Sequence, residues 1–560
     1  MSSKGQPWSG QGPGETRPDR KSWLTLFVLS LALAIVIIDV TIVNVTIPTI
    51  RAEFNAGLHE VEWISALYAL VYAAFIITWG KLGDQFGRRR MFIAGVAVFI
   101  VGSLITGIAP SIPIIIVGRF VQAMGAAMTS PSTLSLLSST FTGRMRGVAF
   151  GVWGATAGAA GALGPLLGGF LTTYFSWRWA FLINLPIGIA AIVGALLVIK
   201  ESSDAGHKHD IDIPGVTLVT VGLGSLVFAL IEGQAHGWWT PTDPFELGGL
   251  TWPLTTIAIT PFLFALAAIS LAAFVMYELR VERAGKEPLF PFSLLRFKGF
   301  RYGLMTVLIV ALGEFGILFV MPIYLQGVRG LSAFETGVIL LPFAIANFVF
   351  APLAGMLSAR FSPKWVVTAG MVCEAIAIFL LSRIIAVDTA FIVFVPVLVL
   401  YGAGVGMAIA QLTNLTLSDI PREQVGVGSG ANNTVRQIGA AVGVAVLGAI
   451  FASQIASVGR AELSASVQVP PQAKPAIERA LDSGLSESAP TTGPGQGPAG
   501  AANSPVGLAI TQIFDDAIAE GARSAAVFAA IFVLFGALSS VLIPTPRSHR
   551  VEQIEPVVVD

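Results

Sequence analysis

The residues of this sequence that could carry chemistry are charged side chains inside long apolar stretches. Of 33 lysines and arginines and 33 acids, five lie well inside such stretches: Asp39, Arg119, Glu314, Glu374 and Arg436. A carboxylate at the centre of a bilayer costs about 2.5 to 3.5 kcal/mol on insertion scales, so charges at that depth are candidates for a function. They can bind protons, pair with one another or attract cations. An acid that only fastens helices together is the structural alternative.

Asp39 and Arg119 are expected at nearly the same depth. Asp39 lies nine residues before Pro48, where its apolar stretch ends, and Arg119 lies six residues after Pro113, where another begins. At 1.5 Å per helical residue these separations are about 13 and 9 Å. A buried acid and base at one level relieve each other's desolvation, so we predict that they pair and that a proton arriving on Asp39 frees Arg119. A permanent structural ion pair is the alternative.

The composition requires a membrane around these stretches. Hydrophobic residues make up 54% of the 560 residues and charged residues 12%, against roughly 25% charged in an average soluble domain. Fourteen apolar runs are long enough to cross a bilayer: 24–47, 62–80, 91–109, 113–138, 147–172, 179–199, 213–232, 254–277, 302–325, 335–358, 365–385, 390–417, 426–451 and 523–543. The single cysteine, Cys373, excludes an intrachain disulfide and a multi-thiolate metal site. The net charge of zero indicates no nucleic-acid partner.

Lysines and arginines in the short loops predict the orientation, because they accumulate on the cytoplasmic side. With a cytoplasmic N-terminus, the short external loops hold only Arg51, Arg178, Arg329 and Arg383. The cytoplasmic loops hold many more, including the six basic residues of 280–301. We therefore predict a multi-pass protein of the cytoplasmic membrane with both termini in the cytoplasm.

An internal repeat relates the two halves of the chain. Asp39 and Glu314 are 275 residues apart, and so are Gly80 and Gly355, which begin similar loops after the second and tenth spans. Repeats of the same orientation are typical of transporters whose halves are related by an axis along the membrane normal. The predicted fold is an all-α polytopic membrane protein with two six-helix bundles and two inserted transmembrane helices.

The repeat and the loops divide the chain into six parts. These are a disordered cytoplasmic tail 1–21, an N-terminal bundle 22–200, a linker 201–278 with the inserted spans, a cytoplasmic loop 279–301, a C-terminal bundle 302–545 and a cytoplasmic tail 546–560. The loop 279–301 mixes basic and aromatic residues, which favours a helix on the membrane surface. The external segment 452–522 has a low-complexity, flexible middle and helical flanks at 472–481 and 507–520.

Arg436 and Glu314 are the charged residues of the second half to which a function is assigned. The partner of Arg436 stays open; Asp39 is one candidate, which would make a triad across the bundle interface. Glu314 lies near Phe315 and Phe319, and a carboxylate among aromatic rings suits a lipophilic cation. Alternatively Glu314 carries a proton itself. For Glu374, burial for structure or beside lipid is as good an explanation as function.

Five motifs in order resemble the major facilitator superfamily, and within it the fourteen-span drug:proton antiporters. They are Asp39–Val45, Gly80–Arg90, Gly118–Ala127, Gly164–Gly169 and Trp177–Pro186. The resemblance implies a multidrug exporter with antibiotic-resistance activity, in which proton entry drives efflux through a cavity that both bundles line and that opens to one membrane face at a time. It implies no enzymatic activity and no cofactor, because the proton gradient supplies the energy.

The resemblance and the residue types together give the candidate site. Proton coupling is assigned to Asp39, Arg119, Arg436 and Glu314, and substrate binding to Glu314, Phe315, Phe319, Asn433 and Gln122. Conformational gating is assigned to Gly80, Gly83, Asp84, Gly87, Arg88 and Arg89 in the loop and to Gly164, Pro165, Gly168 and Gly169 in span 5. There is a structural alternative to gating in each case. The three arginines of the loop would only set the topology, and the glycines of span 5 would only allow close helix packing.

The expected partners are the lipid bilayer, protons and lipophilic or cationic small molecules, with a monomer as the expected state and an envelope partner at 452–522 as a further possibility. A second hypothesis keeps the fold but makes the cargo an endogenous metabolite or lipid. A third is a non-transporting receptor or scaffold, against which the buried arginines and paired acids argue. An ATP-driven pump is disfavoured because no Gly-Lys-Ser/Thr phosphate loop is present.

Overall fold

The computed structural model describes residues 19–141, 143–202, 212–241, 246–247, 250–254, 256–286, 288–420, 425–482 and 505–544. Thirteen helical segments among them are long and apolar enough to cross a membrane. A further helix of 32 residues, Gly143–Tyr174, lies at the position of predicted span 5. Helices dominate because backbone N–H and C=O groups in a bilayer must be satisfied within the segment itself.

The described helices are numbered in chain order. They are α1 (Arg20–Phe54), α2 (Leu58–Phe86), α3 (Arg88–Gly107), α4 (Ile112–Thr140), α5 (Gly143–Tyr174), α6 (Trp179–Leu182), α7 (Asn184–Val198), α8 (Ile213–His236), α9 (Thr260–Arg283), α10 (Lys298–Gly327), α11 (Ala333–Arg360), α12 (Pro363–Ile384), α13 (Phe391–Leu417), α14 (Val425–Ala465), α15 (Lys474–Asp482) and α16 (Pro505–Val541). A 3₁₀ helix, η1 (Phe292–Arg296), precedes α10, and the strands β1 (Glu246–Leu247) and β2 (Leu250–Thr251) pair antiparallel before α9.

Two bundles and an inserted pair are present, as predicted. Helices α1 to α7 pack with one another, α10 to α16 form the second bundle, and α8 packs against α9 between them in the chain. Segments α6 and α7 together make the sixth span. Helix α8 also contacts α2 and α14, so the inserted pair lies against both bundles.

The bundles meet at the face that carries loops 55–57, 328–332 and 385–390, predicted to be external and here called the outer face. The Gln326 side chain of α10 donates a hydrogen bond to the Val45 carbonyl of α1 (2.9 Å). The Phe334 backbone N–H of α11 donates to Thr173 Oγ1 of α5 (2.9 Å). The two bundles are therefore closed against each other at the outer face.

The structure differs from the prediction for the loop 279–301. Helix α9 continues to Arg283, and the only further helix of the loop's described part is the five-residue η1. Gly285 has a positive φ of 69°, which ends the helix, and Leu289 and Leu294 are buried in the protein. The prediction of a membrane-surface helix is wrong, because the apolar side chains of this loop pack against the protein interior.

Helix ends near the external segments also differ from the predicted spans. Span 8 was predicted from 254, but α9 begins at Thr260, and α14 runs on to Ala465 rather than ending near 451. Helices at 474–482 and 505–541 agree with the predicted helical flanks. The predicted flexible middle and both predicted tails, apart from residues near α1, lie outside the described residues.

Candidate functional site

The first candidate cluster surrounds Asp39 in the N-terminal bundle. Helices α1 and α4 bring Asp39 Oδ2 and Arg119 Nη1 to 2.5 Å, with both side chains buried. Arg119 Nε also donates to the Ile64 carbonyl of α2 (2.9 Å). The predicted pairing of Asp39 with Arg119 is confirmed, and the guanidinium group joins three helices.

Two amides complete the hydrogen bonding of Asp39. Gln122 Nε2 on α4 and Asn184 Nδ2 on α7 donate to Asp39 Oδ1 at 2.9 and 3.0 Å. Both amides also donate to Ser103 Oγ of α3, at 2.7 and 3.2 Å. With Arg119, three side-chain donors converge on one buried carboxylate, and a charged acceptor makes each of these hydrogen bonds stronger than a neutral one.

An aromatic ring covers the cation of this cluster. The guanidinium carbon of Arg119 lies 4.2 Å from the centroid of Tyr68 on α2, within the range of a cation–π contact. Tyr72 stacks on Tyr68 with ring centroids 6.4 Å apart. Arg119 is thereby held by charge, hydrogen bonds and a ring face together.

The second cluster lies at the equivalent place in the C-terminal bundle. Glu314 Oε2 on α10 is 3.8 Å from Arg436 Nη2 on α14, and the guanidinium carbon of Arg436 is 5.9 Å from the ring centroid of Phe315. Glu314 is buried, while about a third of the Arg436 side chain is exposed. Glu314, rather than Asp39, is therefore the partner of Arg436, and the triad considered for Asp39 is not formed.

A small, partly open cavity of about 20 Å³, enough for one water molecule, lies beside this second pair. It is lined by Val307, Val310, Ala311, Glu314, Ile409, Leu412, Thr413, Asn432 and Arg436. Glu314 Oε2 and Asn432 Oδ1 are buried and have no hydrogen-bond partner among the described residues. The cavity thus combines apolar walls with two acceptor oxygens that a hydrogen-bond donor or a cation could satisfy.

Of the five residues assigned to substrate binding, only Glu314 lines this cavity. Phe315 lies beside Arg436 but is not part of the lining. Gln122 belongs to the Asp39 cluster, where its side chain bonds to protein groups. Phe319 is completely buried in the hydrophobic core. Asn433 is half-buried and does not line the cavity, whereas its neighbour Asn432 does.

The sequence interpretation missed Asn184, Ser103 and Asn432. Asn184 lies within the motif Trp177–Pro186, and polar residues in apolar spans were the signal that could have found all three. The proposed roles in proton coupling and substrate binding remain predictions.

The predicted gating loop contacts both its own bundle and the segment between α9 and α10, where Lys81 Nζ donates to the Pro288 carbonyl (3.1 Å). Arg89 Nη2 donates to the Leu196 carbonyl of α7 (2.8 Å), and the Arg89 backbone N–H donates to the Glu201 carboxylate (3.0 Å). Gly80 and Gly83 face Pro131 and Ser132 of α4. Gly87 has a positive φ of 115° at the turn between α2 and α3, and Arg88 begins α3. The Asp84 side chain lies outside the described side chains.

The predicted gating stripe of α5 has two faces. Gly164 and Gly168 lie against Thr41 and Ile42 of α1, inside the bundle. Pro165 and Gly169 lie against α11 of the other bundle, at Gly337 and at the backbone of Ala333 and Phe334. Residues four apart share a helix face. One face of α5 therefore packs against α1 in the same bundle, and the adjacent face packs against α11 in the other bundle.

The fold and the buried charged clusters define a class of protein, a multi-pass membrane protein with charged groups inside its bundles. The chain belongs to the Major Facilitator Superfamily, whose model matches residues 29–444, and it is a transporter and not an enzyme.

Its relatives include named resistance and export proteins. The chain is 34% identical to the tetracenomycin C resistance and export protein of Streptomyces glaucescens, over 78% of this chain and 77% of that protein. It is 33% identical to the probable actinorhodin transporter of Streptomyces coelicolor, over 80% and 76% of the two chains. It is 31% identical to the multidrug resistance protein Stp of Mycobacterium tuberculosis, over 78% of each chain.

The fold is also similar to that of solved transporters. A crystal structure of a bacterial homologue of the human lysosomal transporter Spinster, inward-facing and unoccupied, superposes with a TM-score of 0.61 at 15% identity, over 94% of this chain and 98% of that one. At this identity the likeness concerns the fold alone.

Proposed function

We propose that this protein exports amphipathic, often cationic small molecules in exchange for protons, by alternating access across the cytoplasmic membrane. The observation that carries the proposal is the Asp39 cluster, a buried carboxylate held by Arg119, Gln122 and Asn184. The names of the relatives, resistance and export proteins among them, support the direction of transport.

Protonation of Asp39 is the proposed switch. A neutral carboxyl group no longer attracts Arg119 and accepts weaker hydrogen bonds, so the contacts among α1, α4 and α7 loosen together. Val45, whose carbonyl accepts the outer-face hydrogen bond from Gln326, lies on the same helix as Asp39. Movement of α1 therefore links the protonation site to the contact that closes the outer face.

The cavity at Glu314 is the proposed cargo site, and it has to widen when cargo enters because in this structure it has room for one water molecule. A cationic cargo competes with Arg436 for the Glu314 carboxylate, and its apolar part lies against Val310, Ile409 and neighbouring side chains. We expect Glu314→Gln to weaken the binding of cationic cargo selectively. Equal weakening for neutral cargo would assign Glu314 to coupling instead.

Asn432 and Asn433 offer a matched pair of variants for this site. Asn432→Leu removes a cavity-lining acceptor and should lower the affinity for a cationic dye several-fold, whereas Asn433→Leu should leave it nearly unchanged because Asn433 lies outside the cavity. Fluorescence titration of the purified proteins measures both. Equal loss in the two variants would place the cargo elsewhere.

Energy for export comes from the proton gradient. One proton that enters down 100 mV supplies about 2.3 kcal/mol from the potential alone. A monovalent cation that leaves against the same potential costs the same amount, so its export uses the pH difference or a second proton. A proton-driven exporter of this kind uses no cofactor.

Transport in proteoliposomes under an imposed pH gradient tests the proposal directly, with cationic dyes, neutral drugs and lipids as cargo. The wild-type protein should accumulate cationic dye when a gradient is present. Asp39→Asn should reduce gradient-driven transport to the rate of empty liposomes while the protein stays folded in the membrane. Full gradient-driven transport by Asp39→Asn would remove Asp39 from the mechanism.

A second candidate cargo is an endogenous metabolite or lipid. The names of two relatives, which refer to tetracenomycin C and to actinorhodin, favour a metabolite. The same liposome assay separates these candidates by the cargo accepted. We further propose cytoplasmic termini, a monomer, and an envelope partner at the external segment where α14, α15 and the start of α16 lie.

A further inference from the structure

Glu374 on α12 carries a carboxyl group to which the proposed export mechanism assigns no role. Its side chain is completely buried, and neither carboxyl oxygen has a hydrogen-bond partner among the described residues. Glu374 therefore does not face lipid and does not fasten helices by a hydrogen bond. A carboxylate without partners in an apolar interior is costly, and such a group is held in its neutral, protonated form.

The surroundings of Glu374 connect it with the second cluster. Glu314 on α10 and Arg436 on α14 both lie within electrostatic range of its carboxyl group. Tyr401 on α13 interacts electrostatically with both carboxyl groups, and its buried hydroxyl has no hydrogen-bond partner in the described part of the chain. On α16, which also packs against α12, the charged residues are confined to its outer end: Asp515, Asp516, Glu520 and Arg523.

Glu374 also lies close to the cargo cavity. Met371, one turn earlier on α12, packs in one cluster with Val310 and Leu412. Val310 and Leu412 line the cavity beside Glu314. Glu374 therefore lies one turn along α12 from a residue that packs against the cavity wall, so a movement of that wall reaches its surroundings.

We propose that Glu374 is a second proton-binding site, and that a cationic cargo at Glu314 displaces its proton by way of Arg436. This inference rests on the proposed proton-coupled export. In the outer-closed structure Arg436 lies beside Glu314, so Glu314 is the ionised carboxyl group and Glu374 holds the proton. Two carboxylates in one apolar region are not ionised together without a second cation.

Binding of a cation supplies that second charge. The cargo takes the place of Arg436 at Glu314, and Arg436 turns toward Glu374 and stabilises its carboxylate. Glu374 then gives up its proton to water that reaches it as the cavity wall moves. One cation is bound and one proton is released, so the net charge of the site is unchanged.

The test measures proton release when a cation binds. The full-length protein, purified in weakly buffered detergent, is mixed with tetraphenylphosphonium, and protons are counted with a pH-sensitive dye. We expect roughly one proton per bound cation in the wild type, in accord with linkage. Glu374→Gln should bind the cation but release no proton, and the loss of infrared carbonyl absorption that accompanies cation binding in the wild type should be missing from this variant.

Glu374→Met provides a second variant, because it fills the same space without a buried polar group and should fold at least as well. Glu278→Gln is the matched control. Glu278 is another completely buried glutamate, on α9, and accepts a hydrogen bond from the Leu289 backbone N–H (2.8 Å). Proton release by Glu278→Gln should equal that of the wild type.

The outcomes separate this inference from the proposed function. The measurement is repeated with Asp39→Asn, in which gradient-driven transport should be lost but cation-linked proton release should persist. Wild-type proton release from Glu374→Gln and Glu374→Met, or none from the wild type, would overturn the role of Glu374. Absence of gradient-driven transport in the wild type would instead overturn the proposed function.

Discussion

Asp39 and Glu314 occupy equivalent positions in the two bundles, yet their surroundings differ. Asp39 accepts hydrogen bonds from three side chains, while Glu314 faces one guanidinium group at 3.8 Å and a cavity. In the proposed mechanism Asp39, buried and held by three donors, binds a proton and not cargo. The open carboxylate of Glu314 can exchange one cation for another. We infer that the two acids arose by duplication and that their different neighbours give them different roles.

The Asp39 pair makes a stability prediction. Arg119→Met keeps most of the side-chain volume but leaves the buried Asp39 carboxylate without its cation, which should cost about 3 to 5 kcal/mol. Adding Asp39→Asn removes the stranded charge, so the double variant should be more stable than Arg119→Met alone. Thermal unfolding of the purified variants measures this. A double variant that unfolds at the same temperature as Arg119→Met would show that the ion pair contributes little.

Counting residues along a helix predicts how deep a side chain lies in the membrane, but not toward which side of the helix it points. The depths of Asp39 and Arg119 follow from the 1.5 Å rise, and their pairing could be predicted for that reason. Successive residues point about 100° apart around a helix, so whether Asn432 or Asn433 faces the cavity depends on how α14 is rotated in the bundle. Gln122 and Asn184 could be placed beside Asp39 only once the packing of α3, α4 and α7 was known.

Among the elements, α5 is the one that connects the two bundles most directly. Its glycines at 164 and 168 let α1 approach, and Gly169 lets the backbone of α11 approach across the interface. The contact with α1 lies within a bundle, whereas the contact with α11 must separate when the outer face opens. The same helix therefore holds the bundle together and closes the outer face.

A side chain at Gly169 should open the outer face. A Cβ atom added there would lie 2.7 Å from the Cα of Phe334, closer than packed atoms approach, so Gly169→Val disfavours only the closed conformation. Spin labels at positions 175 and 387, which are exposed on different bundles, report the separation by pulsed electron resonance. We expect the long-distance population to become the major one in Gly169→Val.

Gly224→Val is the control for this experiment. A Cβ atom at Gly224 on α8 meets no atom within 4 Å, so this change adds the same side chain without a clash. Its label distances should match those of the parent. Unchanged distances in Gly169→Val as well would mean that α5 and α11 adjust locally, without separation of the bundles.

Helix identity could be predicted where apolar runs were long, and helix ends could not be predicted from hydropathy alone. The run 254–277 is apolar on both sides of Thr260, so hydropathy alone does not locate the start of α9. Pro261, in the first turn of the helix, is the signal that does. In the loop 279–301, basic and aromatic residues suggested a surface helix, but Gly285 and two prolines end regular structure there. The loop conformation depends on the burial of Leu289 and Leu294 against residues distant in the sequence.

For the whole molecule, the proposed cycle requires each bundle to move as a unit while the interface changes. The contacts in the structure fit this division. Within the C-terminal bundle, Thr368 Oγ1 of α12 lies 2.8 Å from Ser540 Oγ of α16. Between the bundles, Thr173 and Phe334 are joined at the outer face. The first contact should persist through the cycle, and the second should break once in each cycle.

Crosslinking distinguishes these two contacts. In a protein with Cys373 replaced by Ser, cysteines at positions 173 and 334 should form a disulfide under mild oxidation, since the Phe334 backbone N–H lies 2.9 Å from the side-chain oxygen of Thr173. Transport of dye into proteoliposomes should then stop and return after reduction. Cysteines at 368 and 540 should form a disulfide that leaves transport unchanged, because both lie in one bundle. If the 173–334 crosslink left transport intact, export would proceed without opening this part of the outer face, and rocking of rigid bundles would have to be replaced by movement of single helices around the cavity at Glu314.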